Sequence, residues 1–433
     1  MAIEQRRIPP GPHDEYRTTE DLLEWMSHQF ERFGDIYKAS VYGTSAYVTR
    51  DPQHAVYVLR GNWRNYKKGL LLKRIALLLG NGLMASEGEL WKTQRRMIQP
   101  AFHHSALTAL TKVITTSNVA LLRKWEEAAR KRASVNVTRD VSSMVLEIVL
   151  ISIFGADYEQ AAQYFNIIHE DSVRDLIFAQ SFASLAKIVL DVVAQRRKKK
   201  KNSTDILGML MAARDQNSGR TMTDRQLVNE IKTLIVAGHE TTASTLNWIW
   251  YLLSQHPIAE EKLSSELNNL AGGAVPGFNG RPQLAFTRQV IEEVMRLYPA
   301  GWLLTRRALR ADQIGDYFVP AGTEIYLPLY FIQRNPKLWK EPDRFNPDRF
   351  GADQSNDHHP LAMLPFSAGP RNCIGESLAR VEMEIHLSII ARNLRLRYVQ
   401  ARPLELEAGV NLRSKYDFTM HPELTNRPPS VLI

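Results

Sequence analysis

The only cysteine of this 433-residue chain, Cys373, lies in a short segment bracketed by two glycines. Residues 366–375 read Phe-Ser-Ala-Gly-Pro-Arg-Asn-Cys-Ile-Gly. Because the chain has no second cysteine, the thiol cannot form a disulfide within it. Glycines at 369 and 375 let the main chain approach a flat ligand closely, since neither carries a Cβ atom. The pattern indicates a thiolate that acts as a ligand.

A thiolate in such a loop is suited to be an axial ligand of haem iron. An anionic sulfur donates electron density that favours O–O cleavage, provided that hydrogen-bond donors protect it. The backbone amides of Ile374 and Gly375 are candidate donors, and Phe366 can shield one side. An amphipathic stretch from Glu376 predicts a helix whose positive N-terminal end favours the thiolate. The loop taken alone leaves open a buried structural cysteine beside a turn.

The loop resembles that of the cytochrome P-450 family, whose pattern F-x-x-G-x-R-x-C-x-G is met at every specified position. The family often has a second glycine after the phenylalanine, where this chain has Ser367. The resemblance implies a mostly α fold with small β-sheets, a long central helix over the haem, and haem b (iron protoporphyrin IX) as cofactor. It also implies one haem-thiolate monooxygenase domain over residues 1–433, of the soluble bacterial type. Its parts would be β-rich regions near 34–50 and 305–330, a helical body over 52–300 and the haem-ligand loop 366–375.

The distribution of apolar residues fits that fold class. Between residues 86 and 270, apolar side chains return every three or four positions, which predicts helices. Residues 36–42 and 45–49 have the composition of strands. Around residues 308–329 the chain alternates again, punctuated by proline and glycine, which predicts a small sheet that packs with the N-terminal strands.

Residues 229–253 predict one long helix with a polar patch in its middle. A capping box at 223–226 precedes the helix, and His256-Pro257 stops it. In the patch, the Thr241 hydroxyl can bond the carbonyl of Ala237 four residues earlier, and Gly238 weakens the same turn. The patch resembles the family's oxygen-activating motif, which implies that Thr241 relays protons and that Glu240 links it to solvent. Taken alone, Gly-x-Glu-Thr in a helix is a weak signal and more often has a structural role.

A third motif, E-x-x-R, places Glu293 and Arg296 on one face of a helix that Pro299 terminates. In the family, the corresponding pair bonds an arginine of a later motif, which here is Arg349. The resemblance implies a structural triad that holds the surroundings of the cysteine loop.

Buried haem propionates need cationic partners, and arginine forks supply them well. The resemblance assigns Trp91 and Arg95, spaced W-x-x-x-R, to one propionate, and Arg371 as a second donor. It assigns Arg307 as a third, five residues before an acidic residue, with a one-residue shift to Arg306 left open.

The family's substrate pocket implies a mainly apolar lining, and therefore a hydrophobic substrate such as a terpenoid, fatty acyl, polyketide or aromatic compound. Each residue predicted to line the pocket, named at the end of this paragraph, can equally belong to the hydrophobic core. Only 41 residues, 155–195, stand where the family usually has two helices and a lid loop, so a more open entrance is predicted. The predicted lining residues are Leu83, Met84, Leu234, Val236, Ala237, Gly301, Trp302, Leu303 and Leu304.

Charge and termini suggest a partner and a location. The formal net charge is +9, which favours acidic partners, but no nucleic-acid, zinc or dinucleotide motif is present. The first residues have no apolar core, which predicts neither signal peptide nor membrane anchor and favours a cytoplasmic location. The resemblance implies a monomer and a role in secondary metabolism. Electrons are expected from a ferredoxin or flavodoxin with its NAD(P)H reductase, docking near Lys92, Arg96 and Arg380. The basic run 196–202 is interpreted as a solvated loop between helices.

The leading hypothesis is a monooxygenase that activates O₂ with two externally supplied electrons and hydroxylates or epoxidises a hydrophobic small molecule. One alternative is a haem-thiolate enzyme that uses peroxide, couples substrates oxidatively or rearranges them. Another is a non-enzymatic haem binder or sensor.

Overall fold

The computed structural model describes residues 7–12, 16, 21–41, 43–162, 174–199, 203–270, 283–351, 361–400 and 402–425. The described chain is mostly helical with small sheets, so the predicted fold class is confirmed. The helices are α1 (Leu22–Phe33), α2 (Pro52–Val56), α3 (Leu70–Leu79), α4 (Gly88–Ile98), α5 (His104–Arg130), α6 (Val137–Phe154), α7 (Tyr158–Ala162), α8 (Arg174–Lys198), α9 (Ile206–Ala212), α10 (Asp224–Gln255), α11 (Pro257–Asn268), α12 (Ala285–Leu297), α13 (Leu329–Ile332) and α14 (Glu376–Asn393). The strands are β1 (Ile36–Val41), β2 (Thr44–Thr49), β3 (Tyr66–Lys68), β4 (Val135–Asn136), β5 (Leu303–Ala308), β6 (Asp312–Ile314), β7 (Tyr317–Val319), β8 (Glu324–Pro328), β9 (Leu394–Tyr398), β10 (Leu406–Ala408), β11 (Leu412–Ser414) and β12 (Thr419–Leu424).

The chain divides into two compact units. The first comprises residues 1–75, 293–373 and 406–413, and the second comprises residues 76–292, 374–405 and 414–433. That the whole chain is one domain stays a prediction.

The first unit is built on a five-stranded sheet with the order β1-β2-β8-β5-β3. Strand β2 runs parallel to β8, whereas the other neighbours are antiparallel. Strand β8 lies in the region 308–329 and pairs with β2, so the predicted return of this region to the N-terminal strands is confirmed. Strand β5 begins before that region, at Leu303. Strand β3 lies inside the region predicted as a helical body, because three residues are too few for periodicity to reveal.

Alternation along β5 sends neighbouring side chains to opposite faces of the sheet. Leu304 and Ala308 pack with a core cluster that contains Leu59 and reaches Ala368 of the cysteine loop. Leu303 packs with the other cluster, which contains Met26 and Phe30 of α1. The face that carries Leu304 and Ala308 is therefore the face against which the cysteine loop packs.

The second unit has a helical core in which α10 packs on α6 and α5 packs on α14. Helix α10 begins with the predicted capping box, in which Thr223 and Gln226 bond reciprocally, and it ends before His256. In its second half, Trp250 Nε1 donates to His386 Nε2 (2.8 Å), and His386 Nδ1 lies 2.6 Å from Asn118 Oδ1. Since α5, α10 and α14 share this buried network, the end of α10 is tied to the helix that follows the cysteine loop.

The basic run at 196–202 differs from its interpretation as a solvated loop. Helix α8 continues to Lys198, and Arg196 is 4 % exposed. Its guanidinium pairs with Asp157 (2.8 Å) and Asp205 (2.7 Å), because a buried cation needs carboxylates around it. Residues 200–202 lie outside the described residues.

Two helical segments, His104–Arg130 and Val137–Ala162, are long and apolar enough, by length and composition, to cross a membrane. The most apolar windows of these segments are 33 % and 56 % buried. Since α5 and α6 pack against other helices of the second unit, and core helices pass the same test, this is weak evidence for a membrane span.

Candidate active site

The cysteine loop of the first unit is held by its own backbone. The Cys373 amide donates to the Phe366 carbonyl (2.9 Å), and the Cys373 side chain is exposed. Gly369 has a φ of +73°, and a Cβ there would lie 2.2 Å from the Leu59 carbonyl oxygen. Only glycine fits at this position. Gly375 has a φ of −88°, so its backbone does not by itself require glycine.

Ser367 stands where the family often has glycine, and it adopts a left-handed conformation. Its φ is +65°, and its amide donates to the Leu364 carbonyl at 2.9 Å. A serine in this region costs about 1 kcal/mol relative to glycine. The departure therefore keeps the backbone path of the loop at a small cost in strain.

The two arginines proposed for a propionate point to opposite faces of the sheet. Arg306 lies opposite Ile325 of β8, on the face that carries the cysteine loop, and it is 5 % exposed. Arg307 lies opposite Glu324 and is 3.9 Å from that carboxylate, on the other face. The structure thus favours Arg306 over Arg307 as the residue on the cysteine-loop face. Alignment by spacing alone could not show which face each residue takes.

Lys68 of β3 lies directly opposite Arg306 and is also buried, at 7 % exposure. Next to it, the Arg371 guanidinium donates to the backbone carbonyl of Tyr66 (2.8 Å) and lies over the ring of Trp63. Like charges opposite each other on a sheet repel, and an anion close to both offsets that repulsion. The first unit thus places two cations on the cysteine-loop face and a third, Arg371, at the backbone of β3.

Glu293, Arg296 and Arg349 are in contact, as the resemblance implied. Glu293 accepts from Arg296 Nε (2.7 Å) and Nη2 (2.9 Å) and from Arg349 Nε (3.0 Å), and all three side chains are buried. Arg296 also donates to the Pro342 carbonyl (2.6 Å), and Arg349 to the Lys340 carbonyl (3.1 Å). The triad holds the coil between α13 and the cysteine loop.

In the second unit, the middle of α10 has the geometry that the sequence predicts. Thr241 Oγ1 donates to the Ala237 carbonyl at 2.8 Å, so that carbonyl is engaged by a side chain. A Cβ at Gly238 would meet Val149 of α6 at 3.2 Å, which leaves little room for a larger residue. Glu240 is partly exposed. The partly exposed Glu240 therefore directly precedes Thr241, in a helical turn where a side chain also bonds a backbone carbonyl.

His239 is a packing histidine, as expected, and not a surface one. It is 4 % exposed, and its Nε2 lies 3.0 Å from the Ser142 carbonyl, so Nε2 carries the proton. Burial lowers the pKa of His239, while the nearby Glu240 opposes that shift. The ring is therefore neutral near pH 7.

The remaining predicted residues differ in exposure. On α4, Trp91 is 6 % exposed and Arg95 partly exposed. Leu83 and Leu234 are buried, whereas Met84, Val236, Ala237, Gly301, Leu303 and Leu304 are partly exposed.

Trp302 requires a correction as a pocket residue. It is 2 % exposed and belongs to the core cluster around α1, where its Nε1 donates to the Gly409 carbonyl at 2.9 Å. An indole is large and carries one donor, so core packing with a single bonded partner satisfies it completely.

Comparison with known proteins agrees with this geometry. The family model for cytochrome P450 matches residues 11–420. The chain belongs to the cytochrome P450 family. Its haem-thiolate fold binds haem b, and its relatives include monooxygenases.

Two bacterial relatives come from Streptomyces melanosporofaciens. The chain is 31 % identical to cyclooctat-9-en-7-ol 5-monooxygenase, covering 86 % of this chain and 84 % of that protein. It is 29 % identical to cyclooctatin synthase, covering 87 % of both. Among solved structures, the cytochrome P450DA haem domain superposes with a TM-score of 0.85 at 24 % identity, covering 97 % of this chain and 98 % of that one. That likeness shows the fold.

The residues present in this P450 fit haem b. An exposed cysteine sulfur follows a glycine that admits close backbone approach, and buried cations stand on the same sheet face. When bound, the haem supplies the iron at which oxygen is activated. Cys373 would ligate that iron, while Arg306, Lys68 and Arg371 would balance its carboxylates.

Lys68 was missed by the sequence reasoning. Its only signal is a lysine ahead of Gly69 in a short strand-like piece, and the register with β5 that gives it meaning is not visible in the sequence.

Proposed function

We propose that this P450 is an O₂-dependent monooxygenase that takes two electrons from a separate redox protein and hydroxylates or epoxidises a hydrophobic small molecule. The observation that supports it most directly is the Thr241–Ala237 bond beside Glu240 in α10. A catalyst that only rearranges substrates, or a haem sensor, has no need of a proton-delivering pair. Product formation with oxygen, NAD(P)H and surrogate redox proteins tests the proposal, and dependence on peroxide alone would contradict it.

The two side chains have separate tasks in this proposal. Glu240 takes protons from solvent because it is partly exposed, and Thr241 passes them inward through its hydroxyl. The Thr241 hydroxyl donates its hydrogen bond to the Ala237 carbonyl, which leaves the lone pairs of its oxygen to accept a hydrogen bond from a proton donor. The neutral His239 adds no charge at this point of the helix.

The substrate is proposed to be apolar. Met84, Val236 and Leu304 are partly exposed hydrophobic residues that the family resemblance assigns to the substrate pocket. The monooxygenase relative is named for oxygenating an alkenol, which favours a terpenoid-like or similar hydrophobic compound. The more open entrance stays a prediction, because residues 163–173 lie outside the described residues.

Replacing Thr241 by alanine is expected to lower product formed per oxygen consumed by roughly tenfold or more, because proton delivery loses its last donor. Oxygen uptake and product are measured together. Thr245→Ala is the matched control, since that hydroxyl also bonds the carbonyl four residues earlier (3.0 Å to Thr241). Unchanged coupling in Thr241→Ala would remove the residue from proton delivery.

The rate of haem release distinguishes Arg306 from Arg307 as the propionate partner. Loss of a charge-assisted hydrogen bond weakens binding by about 1.5–3 kcal/mol, so Arg306→Gln is expected to release haem roughly tenfold faster or more. Lys68→Gln should act in the same direction, and Arg307→Gln is the control on the other face. Haem transfer from the ferric protein to an apoprotein acceptor gives the rate. Faster release in Arg307→Gln alone would restore Arg307 as the propionate partner.

The basic residues proposed for docking are already engaged. Lys92 pairs with Glu89 (2.6 Å) and Arg96 with Asp215 (2.9 Å), while Arg380 pairs with Glu292 and Glu376. In the first unit, Arg60 and Arg64 are exposed and pair with no carboxylate among the described residues. Arg60 adjoins Leu59, whose carbonyl faces the cysteine loop. We therefore propose Arg60 and Arg64 of the first unit as docking residues for an acidic redox protein.

Neutralising Arg60 and Arg64 to glutamine is expected to slow reduction by the redox protein severalfold at low salt and to flatten its salt dependence. The paired Lys92→Gln and Arg96→Gln change should have the smaller effect, since their charges are balanced within the chain. Stopped-flow reduction at several ionic strengths measures both. A larger effect of the second pair would return the docking site to α4.

A further inference from the structure

The segment between α3 and α4, residues 80–86, lies against the first half of α10 with no spare room. A Cβ at Gly80 would lie 2.2 Å from Asn229 Oδ1. A Cβ at Gly82 would lie 2.3 Å from Thr233 Oγ1 and 2.6 Å from the Asn229 carbonyl oxygen. Gly82 depends on glycine because of the backbone contact, and Gly80 because its φ is +78°. Backbone of the segment therefore touches α10 directly.

A buried carboxyl group fixes the middle of this segment. Glu230 of α10 is fully buried, and its Oε2 accepts a hydrogen bond from the backbone N–H of Leu83 at 2.8 Å. Burying a carboxyl group is costly unless polar partners surround it. An acid is thus held in the core of the second unit at the point where it meets the backbone of Leu83.

The two ends of the segment are fixed as well. Gln94 of α4 is 1 % exposed, and its side-chain amide donates to the Asn81 carbonyl at 2.9 Å. The amides of Ala85 and Ser86 both donate to the Gly82 carbonyl, at 2.9 and 2.8 Å. Helices α4 and α10 hold the segment from two sides, and its own turn closes it.

We propose that Glu230 is a positioning residue that fixes Leu83 and Met84 from α10 and thereby decides which substrates fit. The inference about selection rests on the proposed function, in which these two side chains contact substrate. Glu230 precedes Thr241 by 11 residues, about 16 Å along the same helix. One rigid element therefore carries the proton-delivering pair and sets the position of the selecting segment.

Loosening the Glu230 contact should change selection more than turnover. Leaving the buried Leu83 amide without its acceptor costs about 1–3 kcal/mol, which corresponds to a change of roughly 10- to 100-fold in how often the segment opens. An open segment admits bulkier ligands and holds small ones less well. KM for the preferred substrate should rise, while the maximal rate with a well-bound substrate should change little.

Hydrogen exchange of the haem-loaded, full-length protein tests positioning without any substrate. In Glu230→Ala, amides of residues 80–86 are expected to exchange 10- to 100-fold faster, and less so in Glu230→Gln, which keeps one acceptor. Asp224→Asn is the matched control, because it changes an acid to its amide on the same helix, where Asp224 pairs with Arg197. Gly82→Ala, which displaces the segment sterically, should reproduce the effect. Unchanged exchange at 80–86 in a folded Glu230→Ala protein, or an equal rise along the whole chain, would overturn the proposal.

Ligand binding then tests selection. Imidazoles of increasing size are titrated against the ferric protein, and the absorption change gives their affinities. The ratio of affinities for the bulkiest and smallest imidazole is expected to rise about tenfold in Glu230→Ala. Faster exchange with an unchanged ratio would overturn the role in selection and the assignment of Leu83 and Met84, while leaving the monooxygenase proposal, tested by product formation, untouched.

Discussion

Replacing Cys373 by serine is expected to abolish the thiolate absorption band of the reduced carbon-monoxide complex and reduce oxygenation below about 1 % of wild type. The reason is electronic, because a neutral hydroxyl does not donate density to iron as a thiolate does. The loop offers no second sulfur, since Cys373 is the only cysteine of the chain. Absorption spectra and product analysis of hemin-reconstituted protein measure both effects.

Two further variants keep this result interpretable. Cys373→His supplies a nitrogen ligand, so haem should be retained while the thiolate band is lost. Ser367→Gly changes the same loop, relieves a left-handed serine with φ +65°, and should preserve the band. A thiolate band in Cys373→Ser would contradict the assignment of the ligand.

Breaking the Glu293 triad at Arg349 is expected to destabilise the protein by about 3–5 kcal/mol, because Glu293 and the Lys340 carbonyl both lose charge-assisted hydrogen bonds from a buried guanidinium. Arg349→Met removes one of the two cations from Glu293, whose side chain is 0 % exposed. The urea midpoint of the haem-loaded protein should fall sharply, and haem should be lost along with the fold.

Arg344→Met provides the comparison for that variant. Arg344 pairs with Glu341 at 3.1 Å, but the two side chains are 66 % and 54 % exposed. Exposed pairs contribute at most about 1 kcal/mol, so this variant should unfold close to wild type. Equal effects of the two substitutions would show that Glu293 is not a structural centre.

Motifs whose partners are close in sequence were predictable. The Thr241–Ala237 bond spans four residues of one helix, and the capping box at Thr223 spans three, so helical geometry alone specifies them. The cysteine loop was recognised because glycine, arginine and cysteine must stand at fixed short distances. The triad needed the family resemblance, since Arg349 is 56 residues from Glu293.

Residues whose meaning depends on a distant partner were assigned less well. Trp302 was expected to line the pocket and lies in the core instead. The sequence could not reveal this, because the acceptor for its indole N–H, the Gly409 carbonyl, is 107 residues away. Spacing favoured Arg307 over Arg306 but could not show which sheet face each side chain takes, since a one-residue shift in a strand reverses the face and only pairing with β3 and β8 sets it. Arg196 was taken as solvated because Asp157 and Asp205 approach it only in the folded chain.

The amino-acid sequence by itself identified the family and the helix that carries Thr241, and it predicted Cys373 as the sulfur ligand, because those depend on local spacing and on residue types with few alternatives. The tertiary structure alone decided that Lys68 and Arg306 share a face, that Trp302 is core, and that Glu230 holds the backbone of Leu83. The physical reason is that strand register and helix packing bring together groups that are far apart in the chain. Because these groups are buried, each charge and each hydrogen-bonding atom needs a partner, and that need fixes the positions of the side chains.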